Sequence, residues 1–554
     1  MTRKSLLKRI LTTLAALAVL IAVGVWIFYT YYFQDYVNDF LKPKLSAAIS
    51  AATDGHYRLD IGNIVYKNGL LFCTQFDLHR VRFGNEEKGI TLEGLSADTV
   101  YFKGLHLFDL FWGSGSFMKR MEMHGPKISV IDVADGRKKL GTEKPDTLPV
   151  LTKLPQRLPV IAFDSIIMTN MVIQVPKKFK PQGPDSFYRD VSARLAGFRL
   201  DSNTIISEPL MYSKHIIIEL PSISFHTADS VYAIEAGPVH ADLTDSVIRI
   251  DSFTFRPNYG EEEFSALLPY LRGRLDFRCA NINVHGFDLE KLMSGESVTF
   301  HRCYIDSWSF DYYSDKRKPR EAHPAAAVMP HEFIQEFPMP INIDSLVLAG
   351  GKIKIRERTP GSKQAGWLQF THVRMAAYPY CTDSVCENCG KPTAVSINAL
   401  FLGEAPVTVK ASYELQHKQL DLEADATVGE FSAKSLNTFL VPNERKEATN
   451  GTVEGGKLHL SIHGKTATLT ATPYYKDLSM KILPDNPDGQ TGIIEGLKTF
   501  VANTFVLRPE NLDNGNRPAV SATTTMRREP HQEFLQFIWI ALRKSLGKII
   551  GGFD

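Results

Sequence analysis

The chain has 554 residues, and 63 Lys and Arg against 61 Asp and Glu leave a formal charge of +2. That balance excludes the basic excess that a nucleic-acid footprint needs. Apolar residues at 44% and charged residues at 22% exclude a mostly disordered chain, and six cysteines are too few to staple one this long.

The first predicted element is a membrane anchor over residues 10–33. Ile10 to Phe33 carries no charged residue and supplies the roughly 20 apolar residues that a spanning helix needs. Leu11, Leu14, Leu17, Leu20 and Val23 line the run, and Trp26 and Phe28 fall in its aromatic outer end, suited to the headgroup layer. Arg3, Lys4, Lys8 and Arg9 precede it, so the positive-inside rule keeps residues 1–9 in the cytoplasm and sends the bulk across. A cleaved signal peptide has a shorter apolar core ending in small residues, whereas this run ends in bulky aromatics. Residues 34–53 then read as an amphipathic helix with Phe40, Leu45 and Ile49 on one side, closed by Thr53-Asp54-Gly55.

From there to about residue 530, apolar and polar residues alternate, as in Tyr57–Ile61, Val247–Asp251 and Lys352–Arg356. Such alternation predicts strands with one apolar and one wet face, usually antiparallel. Helical patterning is confined to short pieces such as Leu105–Trp112, His331–Phe337 and Leu436–Leu440.

The chain also repeats at an offset of 180 residues. Asp135, Arg137 and Lys138 map onto Asp315, Arg317 and Lys318, and Asp164-Ser165 onto Asp344-Ser345. Ile166, Ile167, Ile173 and Val175 map onto Leu346, Val347, Ile353 and Ile355. The recurring Asp-Ser pairs suit strand ends, where both side chains bond nearby backbone N–H groups, better than paired-carboxylate catalysis. A repeated unit that stacks on its neighbours predicts a mainly β, elongated, open and twisted antiparallel sheet groove. Its regions are 34–145, 146–328 and 329–530, the last carrying a cysteine loop. Ile166, Ile173, Leu346 and Ile353 are the candidate inward positions.

An exported body permits disulfides. Cys279 and Cys303 lie on neighbouring strand-like runs and are candidates to pair. Cys381, Cys386 and Cys389 resemble a metal site, with His372 as a fourth ligand. No second CxxC follows, so a loop disulfide with one spare thiol is the preferred reading. Residues 531–554 close the chain as an amphipathic helix, with Leu535, Ile538, Leu542, Leu546 and Ile549 at helical spacing beside Arg543, Lys544 and Lys548. It either lies on an anionic membrane face or covers the open end of the β-body.

Motifs for chemistry fail on their own requirements. His331-Glu332-Phe333-Ile334-Gln335 lacks the second histidine of a zinc protease helix. Gly464-Lys465-Thr466 has His459 where a phosphate loop needs glycine. His459 and His463 share a strand face without an evident third ligand. No catalytic, cofactor-binding or metal-ligating residue is assigned, and the chain reads as a non-enzyme.

The anchor, the helix after it, Thr53–Ile64 with its Gly-then-strand opening, Gly104–Phe111 and Met121–Ile128 with Gly125-Pro126 form a recognisable succession. It resembles the AsmA-like family of membrane-anchored envelope proteins, best over residues 1–140 and faintly again at Gly451–Gly455. The resemblance implies a single-span inner-membrane protein whose periplasmic β-groove conducts phospholipid in outer-membrane biogenesis. Its partners would be phospholipid, the inner membrane and outer-membrane assembly proteins. It brings no catalytic residue. The competing reading is a non-transporting envelope scaffold, in which side chains fill the inner faces.

Overall fold

In the computed structural model, the described residues are 17, 19–24, 26–43, 46, 47, 50, 58–68, 73–87, 90–106, 115–129, 160–174, 187–200, 213–227, 229–293, 296–321, 327–335, 339–382, 390–415, 419–483, 508–515 and 517–551. The chain is mainly β with short helices, and divides into two units, Met1–Pro221 with His240–Thr244, and Ser222–Val239 with Asp245–Asp554.

The first unit contains β1 (Arg58–Asn68), β2 (Cys73–Glu87), β3 (Ile90–His106), β4 (Gly115–His124) and β5 (Lys127–Ser129). It continues through β6 (Val160–Gln174), β7 (Phe187–Leu200) and β8 (His215–Leu220). Neighbours pair antiparallel, except that β4 and β5 both run parallel to β6. β11 (Val239–Asp242), most of which belongs to this first unit, pairs with β8, and the second unit opens with β9 (Ile223–His226) and β10 (Tyr232–Ala236). β12 (Val247–Pro257), β13 (Arg274–His285), β14 (Val298–Asp315), β15 (Ile341–Arg358) and β16 (Gly366–Tyr378) follow, with β17 (Tyr380–Cys381) beside β15. The run ends in β18 (Thr393–Phe401), β19 (Ala405–Tyr413), β20 (Asp421–Val428), β21 (Phe431–Ser432), β22 (Lys446–His463), β23 (Thr466–Ile482) and β24 (Ala522–Arg527). Here the exception is one parallel pairing, β14 with β15.

That exception is the repeat. β6 and β15 are the strands related by the 180-residue offset, and each enters its sheet by a parallel crossover. The crossover sequences differ in standing: Asp135, Arg137 and Lys138 lie outside the described residues. In the second copy Asp315 accepts hydrogen bonds from Arg317 Nε and Nη2 at 2.8 and 2.7 Å.

Strict alternation places Ile166 and Ile173, or Leu346 and Ile353, on opposite faces. The structure reconciles each pair with a β-bulge. In β6 the register shifts around Asn170 (φ 53°), and in β15 around Gly350 (φ 62°), so the apolar phase changes from even to odd positions. Leu346 and Ile353 thereby join one apolar cluster.

Residues in the left-handed backbone region and the positions facing them align across strands. In the first unit Gly62, Arg80 and Asp98 lie opposite one another, and the line continues through Gly125, Asn170 and Asp190. In the second unit Asp251, Asn281, Ser307, Gly350 and His372 form a matching row. Where the register shifts, around Asn170, Asn281 and Gly350, the irregularity bends its strand locally.

The side chains of Phe40, Leu45 and Ile49, expected on one side of the helix after the anchor, lie outside the described residues. Phe33 and Val37 are the buried pair, packed on Ile61, Ile64 and Phe76. A polar stripe at four-residue spacing runs beside them. Tyr66 N donates to Gln34 Oε1 at 2.8 Å, and Ile64 N to Asn38 Oδ1 at 2.9 Å. Asn38 Nδ2 donates to Ile64 O at 2.9 Å, Lys42 Nζ to Gly62 O at 3.0 Å and Ser46 Oγ to Leu59 O at 2.5 Å. The helix thus satisfies the free edge of β1, which otherwise presents unpaired backbone groups.

Among the described residues no helix is long and apolar enough to cross a membrane. Leu11 and Leu14 of the expected anchor lie outside the described residues, while Leu17, Leu20, Val23, Trp26 and Phe28 are helical and exposed.

Candidate functional site

Two apolar clusters form the inner faces. In the first unit Val81, Ala97, Val100, Met123, Phe163, Ile166, Leu195 and Ile216 are buried together, and all lie on strands. In the second unit Cys279, Ile282, Cys303, Trp308, Leu348, Val373 and Ala399 do the same, with Leu346, Ile353 and Phe370 half-buried around them. Neither cluster draws a described residue from a helix. Ile282 and Val284 lie on one side of the Asn281 bulge and Phe277 and Cys279 on the other, yet all belong to the same cluster.

Of the four inward candidates, Ile166 is 5% exposed, whereas Ile173, Leu346 and Ile353 are half-buried. Ile173 belongs to a neighbouring group with Met171 and Val191, joined to the first cluster through Met168 and Ile218. Each of the four thus belongs to an apolar cluster of its own unit.

A second feature escaped the sequence reading. In the second unit α1 (Asn437–Glu444) and the C-terminal α2 (Phe534–Ile550) close over β18 and β20–β23 and leave a cavity of about 290 Å³. Its wall is almost wholly apolar: Leu368, Phe401, Val428 and Leu458 from the sheet, Phe439 and Leu440 from α1, and Trp539, Leu542 and Leu546 from α2. Gly455 and Gly456 line it where side chains would intrude; a Cβ on Gly456 would stand 3.1 Å from Val428 Cγ1. Arg543 of α2 donates to Glu444 of α1 at 3.1 Å, and both residues border the cavity. Tyr475 is also in the wall. It is 1% exposed, and its buried hydroxyl has no hydrogen-bond partner among the described residues.

α2 itself packs on β23 and β24, with Phe537 and Ala541 fully buried against Ile462, Leu469 and Ala471. Ser545 Oγ donates to Leu469 O at 3.2 Å, and Lys548 Nζ to Thr523 O at 2.7 Å. The expected stripe is rotated: Leu535 is 57% exposed, and Phe537, Ala541, Ser545 and Ile549 form the buried face.

The cysteines also separate. Cys279 and Cys303, candidates to pair, are free, buried thiols. Cys279 stands opposite Trp308 and Cys303 opposite Val284, with the Asn281 bulge between them. Burial pushes the Cys303 thiol up to about 11 and raises that of Cys279. Cys381 is disulfide-bonded, while Cys386 and Cys389 lie outside the described residues. His372 sits at a bulge in β16, with its ring near Thr371 Oγ1 at 3.3 Å.

On the wet face of the sheet, His459 and His463 meet a row of carboxylates from β20. His459 Nδ1 lies 2.9 Å from Asp425 and His463 Nδ1 3.1 Å from Asp421, with Glu423 between them. Cross-strand register supplied these partners, which are remote in sequence. No group of three or more His, Cys, Asp or Glu among the described residues is arranged to hold a metal ion. Gly464-Lys465 is the tight turn between β22 and β23, so the phosphate-loop likeness ends there. The chain matches no protein-family model and no curated protein sequence.

Proposed function

We propose that this is a membrane-anchored envelope protein, N-terminus in the cytoplasm and bulk in the periplasm, that binds or conducts phospholipid through the apolar faces of its sheets. The AsmA-like resemblance points the same way and places the activity in outer-membrane biogenesis. The observation that carries the reading is the pair of apolar clusters whose described members all lie on strands or their turns, with half-buried Ile, Leu and Phe around them. An acyl chain laid on such a face leaves water at about 0.8 kcal/mol per CH₂, on the order of 12 kcal/mol for a chain of about 16 carbons. Contacts of one kind repeat along the face, so a chain exchanges like for like as it moves. The disulfide at Cys381 fits an oxidising compartment.

One observation favours a scaffold instead: Ile166 is already 5% exposed, so side chains fill part of the inner face. Photoreactive residues at Ile353 and Ile173 of the full chain in its own membrane decide between them. Recovery of phospholipid adducts supports conduction; recovery of protein adducts alone leaves the scaffold.

A further inference from the structure

The cavity beneath the C-terminal helix differs from the inner faces in being closed by helices and bordered by an ion pair. Its lining runs from Leu368 on β16 through Phe401 and Val428 to Tyr475 on β23. That is five strand steps, or about 24 Å of contour at roughly 4.8 Å each. A volume of about 290 Å³ drawn out over that path is narrow, at the small end of ligand pockets, and matches one hydrocarbon chain better than two. The single charged pair is matched to one head group. Arg543 already holds a carboxylate, that of Glu444, at 3.1 Å. Glu444 is the last residue of α1, where a displaced side chain can turn to water. Replacing one carboxylate by another conserves charge and geometry at the guanidinium. The unpartnered Tyr475 hydroxyl gives the same wall a donor for a ligand oxygen.

We propose that this cavity is a binding site for a single-chain, carboxylate-headed amphiphile of the fatty-acid class, whose head takes Glu444's place on Arg543. The inference rests on the lipid-binding reading for the class of occupant and on the cavity for its chain number and head group.

The test uses the full chain in membranes, irradiated with a palmitate analogue carrying a diazirine on its tail, followed by peptide mapping. Adducts are expected on α1, α2, β22 and β23, competed by oleate but by neither oleyl alcohol nor phosphatidylcholine. Arg543→Gln lowers capture about tenfold, the cost of one charge-assisted hydrogen bond. Glu444→Gln raises it by freeing the guanidinium, and Leu546→Trp abolishes it by filling the cavity. A merely structural ion pair would make both charge variants fall together, which overturns the proposal. So does equal competition by oleyl alcohol or by phosphatidylcholine. Phospholipid capture at Ile353 without palmitate in the cavity sinks this site and leaves the broader reading intact. Palmitate in the cavity with protein adducts alone at Ile353 does the reverse.

Discussion

Single residues in the left-handed backbone region decide how the strands bend. Gly350 has φ 62°, and a Cβ there would lie 3.3 Å from Ser307 N of the adjacent strand. Its neighbour Gly351 lies under the Trp308 indole, where a Cβ would approach within 2.2 Å of Cε2. Gly350→Val combines a left-handed β-branched residue with that crowding and is expected to cost about 2 kcal/mol, read from urea denaturation of the full chain. Asp315 tests the crossover. Hydrogen bonds from Arg317 hold its carboxyl down at about 2, against an ordinary 3.8, and its side chain is 5% exposed. Its stabilising contribution is therefore complete above pH about 4 and fades as pH falls through about 2. The size is on the order of 2 kcal/mol. Asp315→Asn should lower stability at neutral pH and narrow its gap to the parent protein on acidification, followed by denaturation at each pH. Of the repeat, the 180-residue spacing and the alternation were legible in sequence, but the Asp-Ser pairs were not strand ends: Asp164-Ser165, Asp251-Ser252, Asp306-Ser307 and Asp344-Ser345 all lie within strands. That Asn170 and Gly350 occupy equivalent bulges was not legible, because an Asn and a Gly share only their tolerance of positive φ.

Elements were legible where period alone specifies them and less so where a partner chooses the face. The strands followed from alternation, and α2 from its apolar spacing. The buried face of α2 shifted to Phe537, Ala541 and Ser545 because β23 offers the small side chains Ala467 and Ala471 as a seat. The cavity was illegible, since its walls come from segments between residues 368 and 550 that only folding joins. At the N-terminal side, Gln34, Asn38, Lys42 and Ser46 form a polar stripe whose purpose appears only beside β1. Asn38 both donates to and accepts from Ile64. Asn38→Ala strands that backbone pair, at a cost of about 1–3 kcal/mol. Amide hydrogen exchange at Ile64 should accelerate markedly, while exchange in β6 and β7 stays as it was.

For the whole molecule, one device recurs: a row of left-handed backbone positions crossing neighbouring strands, with apolar side chains on both sides of it in one cluster. It appears in both units and draws on polar or glycine residues that hydrophobicity patterns treat as interruptions. If those faces carry lipid, a charge set on one of them obstructs passage far more than folding, because the half-buried position leaves water within reach. Ile353→Asp is expected to retain expression and the β-rich circular dichroism of the parent, and to abolish phospholipid transfer between donor and acceptor vesicles. Loss of expression together with transfer would instead identify Ile353 as ordinary core.

The amide ladder along β1 has a further result. A border strand whose donors and acceptors are already occupied offers no template for strand exchange or fibril seeding from that side. That protection resides in one short helical stretch just before β1. Proteolytic trimming that removes residues 34–46 would expose a sticky margin along β1 and so promote self-association.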